Sequence, residues 1–287
     1  MTVKNQTLNF LRLIRSELYR YFKQRNYLIS LIGIVVFTSF MIWLYSRSDL
    51  RVLKHGARLL KTDHNTLITG LHFAKVNVEY HFFILLPIFI SLSGGMIYGS
   101  EAKKGLIKEL LLFPVSRFKL LTVKFITLSI IILSLVFFLI IVSLTGGYLF
   151  YGAGPLVVYS SSDVHVIHPI LMGQGKGLLY IAGSGMTIWY SLIALASVVF
   201  LISVIFNDSV SSSISGITFY FVCFLIGMQP QSGPIRKYLI NDAMYTWKRI
   251  YYPDTTGVIL KSALILSIYI IVSYLVSLVI FLKRDIR

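Results

Sequence analysis

Long apolar runs decide what this chain can fold into. Six of them lie near Tyr27–Tyr45, Phe82–Tyr98, Phe125–Phe150, Leu178–Phe206, Ile214–Met228 and Val258–Leu282. A helix needs ~20 apolar residues to cross ~30 Å of hydrocarbon, and these runs approach or exceed that length. The second and fifth are short, and Pro87 sits inside the second. The fourth is long enough to tilt, or to break near Gly183 and Gly185. Charged residues make up only 13% of the chain, about half the share of a soluble domain. The expected fold is all-α and integral to the membrane, with six transmembrane helices.

Lysine and arginine set the expected orientation. With the amino terminus inside, segments 1–26, 99–124, 207–213 and 283–287 hold 15 of the 27 basic residues. The outer loops 46–81, 151–177 and 229–257 hold 11 over a longer stretch, so both termini are expected in the cytoplasm. The first apolar run follows 26 residues of charged sequence and has no small-residue cleavage site, so it reads as a span and not a signal. The net charge of +16 flanks the spans instead of forming one patch, which points to anionic membrane lipids and away from nucleic acid. Cys223 is the single cysteine and lies inside the fifth run, where it reads as packing material.

Residues 1–26 form the expected amphipathic interfacial helix, ahead of a six-span domain over 27–287. Leu11, Ile14, Leu18 and Tyr21 recur on one stripe, away from Arg12, Arg15, Glu17, Arg20 and Lys23. In loop 46–81, residues 49–61 (DLRVLKHGARLLK) have a second amphipathic period; loop 151–177 has none and reads as irregular. Loop 229–257, with Pro230, Pro234 and Trp247, suits a short interfacial helix. All six histidines fall in or beside the outer loops. None matches a zinc-ligand spacing, so no metal site is expected; a copper or zinc function would rest on His165 and His168.

The middles of the six runs carry no Asp, Glu, Lys, Arg or His, which argues against an ion-coupled carrier or a membrane enzyme. Energy for transport must then come from another chain. The letters L-S-G-G at Leu92–Gly95 match the signature loop of ATP-binding-cassette ATPases, but they sit inside an apolar run. Nor does the chain contain G-x-x-x-x-G-K-[S/T]. Ser93, Gly94 and Gly95 are therefore expected to permit close helix packing. Beyond them, Ser100 can cap a short cytoplasmic helix over about 101–113, between spans two and three, with Glu101 in its first turn and Pro114 ending it.

The stretch YGSEAKKGLIKELLLFPVSRFKLLTVKF, the ending FLKRDIR and the segment LISVIFNDSVSS together resemble the permease subunits of ABC-2 type exporters. The resemblance implies a bacterial cytoplasmic-membrane half-transporter that pairs with a second permease copy or a paralogue. Each half would dock a cytoplasmic ABC ATPase, which binds ATP and magnesium; this chain would hold no cofactor and no catalytic residue. It implies that Gly99, Ser100, Glu101, Lys104, Gly105, Leu110, Pro114 and Arg117 couple the ATPase to the membrane, Lys104 replacing the family's acidic or neutral residue. The expected cargo is amphipathic: a peptide, drug or lipid-linked molecule. An ATPase-linked membrane anchor without transport, or a metal-related permease, are the alternatives.

Overall fold

A computed structural model describes residues 3–47, 68–112, 116–163, 166–229, 233–245, 247–248 and 256–283. In chain order the elements begin with α1 (Val3–Phe22), α2 (Arg25–Arg47), α3 (Gly70–Lys103), α4 (Leu106–Leu112) and α5 (Arg117–Tyr151). A hairpin of β1 (Leu156–Asp163) and β2 (Val166–Met172) follows, then α6 (Gln174–Phe206) and α7 (Ser209–Met228). The small helices α8 (Gly233–Arg236) and α9 (Ile240–Met244) precede α10 (Thr256–Lys283). Helices α2, α3, α5, α6, α7 and α10 are each long and apolar enough to cross a membrane, as the apolar runs predict.

Helices α3 and α6 form the centre of the bundle, with 67% and 72% of their most apolar stretches buried, whereas α2, α7 and α10 keep most of theirs on the outside. Small residues let the central helices approach. Gly94 faces Val199 of α6, where an added Cβ would lie 3.1 Å from Cγ1. Gly95 and Gly99 face the start of α7; a Cβ at Gly99 would come within 2.8 Å of the Asp208 carbonyl carbon. The L-S-G-G letters thus serve helix packing.

Pro87 leaves its mark on α3. Proline has no N–H to give to the carbonyl four residues back, here that of Phe83. The helix passes through a π turn at His81–Leu85 just before it, and the Tyr220 hydroxyl of α7 donates to the Phe83 carbonyl at 3.0 Å. A missing intrahelical bond becomes an interhelical one.

Several expectations for the loops are corrected. Residues 70–81 are not loop but the first turns of α3, capped by Thr69, whose hydroxyl accepts from the His72 amide at 3.2 Å. His72 and His81 are buried. Nδ1 of His72 lies 3.0 Å from the Val157 carbonyl; the His81 ring nitrogens lie 2.8 Å from the Asn77 carbonyl and 3.3 Å from that of Ile34. Residues 156–163 and 166–172 pair as antiparallel strands, and Leu156, Val157 and Val158 find a wall to bury against, on α3 and its neighbours. The inner loop 207–213 shrinks to Asn207 and Asp208, with Asn207 left-handed at φ 52° and Asp208 capping α7. Helix α6 runs unbroken through Gly183 and Gly185. Between α7 and α10, α9 and Trp247 are buried in the bundle, Trp247 against Phe82, whereas Ile235 of α8 and Tyr238 are exposed. The amphipathic stretch 49–61 lies outside the described residues.

Candidate functional site

The end of the bundle where α3, α4 and α5 meet collects most of the residues singled out in the sequence. Helix α5 starts at Arg117 after Ser116, whose hydroxyl accepts from the Lys119 amide at 3.3 Å. Leu120, Leu121, Leu128 and Ile131 form its buried stripe, and Lys124 falls on the same stripe, about 10 Å along the axis at 1.5 Å per residue. Its side chain is 0% exposed. Nζ lies 2.5 Å from Glu101 Oε2, 3.3 Å from Glu17 Oε1 and 3.3 Å from the Ile97 carbonyl, one acceptor for each ammonium proton.

Arg20 completes the group. Its guanidinium bonds the second Glu101 oxygen and lies 2.5 Å from Glu17 Oε2. Two cations and two carboxylates alternate across α1, α3 and α5. Burial of a charge costs several kcal/mol unless a partner and further hydrogen bonds compensate it, and here the formal charges cancel. The apolar side of α1 brings Glu17 and Arg20 into place. Ile14 and Tyr21 are buried and Leu18 packs against the core, while Leu11 stays exposed. Burial pushes the Tyr21 phenol up to about 12, against the opposing effect of a hydrogen bond with Ser93.

The structure corrects the reading of Ser100 and Glu101. Helix α3 continues through both to Lys103, and the Ser100 hydroxyl donates to the Met96 carbonyl at 2.6 Å instead of capping a new helix. Glu101 therefore belongs to the last turn of α3, not the first turn of α4. The break comes at Lys104 and Gly105, whose φ of +75° is the left-handed conformation that glycine supplies at helix ends. The short helix is Leu106–Leu112, with Ile107 buried and Leu110 packed against the core. Lys104 is exposed. Pro114 and His165 lie outside the described residues; His168 falls in β2. Among the described residues no group of three or more His, Cys, Asp or Glu could hold a metal ion.

Two further links tie this segment to the rest of the bundle. Lys103 Nζ donates to Asp208 Oδ1 at 2.6 Å, while Asp208 Oδ2 accepts from the Ser211 amide and hydroxyl at 2.8 and 2.9 Å. The Lys103 bond, with the two from Ser211, holds the Asp208 carboxyl well below the usual carboxylate range. Arg117 donates to the Leu282 carbonyl near the end of α10 at 3.3 Å. A cleft of about 220 Å³ opens between α1, α4 and α5, with Ser16, Glu17 and Arg20 on one wall and Leu110 and Leu120 on the other.

The sequence singles out Glu101 and Arg117 but not the pairing of Glu101 with Lys124, nor Glu17 and Arg20 as partners in it. The available signal was Lys124 itself: a lysine on an otherwise apolar helical stripe needs a carboxylate opposite it.

A family profile described as ABC-2 family transporter protein matches residues 13–227, a span that includes α4 and all four charged residues of the network. Comparison with curated proteins gives no match. The match covers well over half of the chain, and with six apolar helices around it the chain belongs to the ABC-2 family transporter proteins, as a multi-pass membrane permease.

Proposed function

We propose that this permease is one half of an ATP-driven exporter in a bacterial cytoplasmic membrane, with both termini and α4 on the cytoplasmic side. Family membership implies an ABC ATPase as partner and commonly a dimer. In this reading a separate ATPase binds ATP and magnesium and docks on the Gly99–Arg117 segment, and a second permease, identical or a paralogue, completes the path. The cargo is an amphipathic molecule such as a peptide, drug or lipid-linked compound.

The observation that carries this reading is the connectivity around α4. Within a few residues of it, Glu101 contacts α1 and α5, Lys103 contacts the α6–α7 joint, and Arg117 contacts α10. A push on α4 therefore reaches four neighbours through short, mostly charge-assisted bonds. Packed interfaces of this kind shift between discrete arrangements instead of deforming smoothly. Glu101 and Lys124 transmit the motion, with Glu17 and Arg20 coupling α1 to it as a lever.

The test is affinity purification of the protein from its native membrane in mild detergent, with peptide identification and an ATPase assay. Recovery of an ATPase carrying G-x-x-x-x-G-K-[S/T], lost when residues 99–117 are scrambled, is expected. Recovery of the permease alone, with hydrolysis at background, would overturn the proposal.

A further inference from the structure

Helix α1 has three sides, and two of them are occupied. At 3.6 residues per turn, Ile14, Leu18 and Tyr21 share the side that packs on the bundle, and Glu17 beside them is turned inward. Leu13, Ser16 and Arg20 line the cleft shared with α4. The third side is open. Leu11, Arg15 and Phe22 run along one margin of it, and Arg12 and Tyr19 along the other. Lys23 continues the second margin, because its amide still donates to the Tyr19 carbonyl at 3.3 Å. Its Nζ sits 4.3 Å above the Tyr19 ring, and Leu11 and Tyr19 are 63% and 62% exposed.

Charge and position say what fits there. Glu17 is the one acidic residue in segment 1–26, and Lys124 and Arg20 hold it on the inner side. The open side therefore presents cations alone, set among Leu11, Tyr19 and Phe22. Helix α4 joins two spans beyond their ends, and the Leu11–Phe22 margin lies opposite the cleft that faces α4, so this margin is turned toward the membrane. The Phe22 ring lies 4.8 Å from that of Tyr27, where the apolar run of α2 begins. On α5, α1 reaches Lys124, one residue before the run that starts at Phe125. Helix α1 thus lies where hydrocarbon gives way to headgroups. An apolar margin toward the hydrocarbon, with cations beside it, matches an anionic lipid surface. An acidic protein surface would match the cations but not Leu11 and Phe22.

We infer that the open side of α1 is a docking face for anionic phospholipid, with headgroup phosphates meeting Arg12, Arg15 and Lys23 and with Leu11 and Phe22 set against the acyl chains. The stripe of Ile14, Leu18 and Tyr21, which the sequence assigns to the membrane interface, is used for the bundle instead, and a second, more basic face takes the lipid. Helix α1 is then held from both sides, by lipid outside and by Lys124 and Glu101 inside. Only a chain that spans a bilayer is needed for this; neither an ATPase nor the identity of the cargo enters.

Photo-crosslinking tests it, with benzoylphenylalanine in place of Leu11 in the full chain, a change that keeps the position apolar. The chain is placed in nanodiscs holding equal amounts of phosphatidylglycerol and phosphatidylcholine, and mass spectrometry identifies the captured lipid. At about a fivefold gain per cation near an anionic surface, phosphatidylglycerol adducts should outnumber phosphatidylcholine adducts by about tenfold or more. Arg12→Gln with Arg15→Gln, both exposed positions, should bring the ratio close to parity while thermal unfolding stays unchanged. The same probe at Val36, midway along the outer face of α2, should capture the two lipids equally. Equal capture at Leu11 would overturn the inference, as would a preference that survives the double change or appears equally at Val36. In the native membrane the Leu11 probe should again capture lipid; capture of a protein there in its place would overturn it too.

Discussion

Lys124 on α5 is fully buried and places its Nζ 2.5 Å from the Glu101 carboxylate in the last turn of α3. Neither charge is tolerable there alone. Lys124→Met strands Glu101 and Glu17 with only Arg20, and breaking a buried pair on one side costs ~3–5 kcal/mol. Pairing it with Glu101→Gln removes both charges and should recover most of that loss. Unfolding of the single and double variants in one detergent measures it; a double variant as unstable as the single would mean that the pair is not the source of the cost.

The close approach of Gly70 and Gly147 sets a second expectation. A Cβ on Gly147 would lie 3.0 Å from the Gly70 carbonyl carbon and 3.1 Å from its Cα, against backbone that cannot rotate away. Gly147→Ala should destabilise by ~1–3 kcal/mol through overpacking. Gly183 is also within a long helix, yet nothing lies within 4 Å of its added Cβ, so Gly183→Ala should be neutral or slightly stabilising. Thermal unfolding of the two variants separates them.

Tyr220 and Pro87 should be coupled. Tyr220→Phe leaves the Phe83 carbonyl without its hydroxyl donor, a loss of ~1–3 kcal/mol for a buried acceptor. In a Pro87→Ala background the new amide can return to that carbonyl, so the same Tyr220→Phe change should cost less. A double-mutant cycle measures the difference, and strict additivity would contradict the link.

Asp208 gives a pH dependence of known sign. Its folded carboxyl is held below the ordinary value of ~3.9 by Lys103 and Ser211. Its contribution is therefore complete above about pH 4 and is lost as pH falls further through the folded value. Stability plotted against pH should fall less steeply below about pH 4 in Asp208→Asn than in the unaltered protein, while the gap between the two stays constant from about pH 5 to 8. A gap that changes across neutral pH would contradict it.

What could be read from the sequence follows from which signals are local. The six spans were legible because apolar length is counted along the chain, and the packing role of Gly94 and Gly95 because small residues in a span have few other uses. The stripe of Ile14, Leu18 and Tyr21 was legible from period alone. The start of α3 at Gly70 was not: His72, Lys75, Glu79 and His81 make residues 70–81 polar, and only neighbours such as Val157, Ile34 and Lys248 provide partners for them. The hairpin was hidden for a similar reason, since Leu156–Val158 bury against elements distant in sequence. Glu101 was placed in the right neighbourhood but on the wrong helix. A serine before a glutamate reads as a cap, whereas the real break comes at Gly105, whose left-handed backbone no local pattern required.

Under the proposed function, Glu101 and Lys124 pass the motion of a docked ATPase into the membrane helices. The most direct test is ATP hydrolysis by the reconstituted permease–ATPase complex carrying Glu101→Gln with Lys124→Met, beside the unaltered complex, with assembly measured on the same samples. The expected result is a complex that assembles to the unaltered level while the stimulation of hydrolysis by the permease is lost. Full stimulation in a fully assembled double variant would contradict the account.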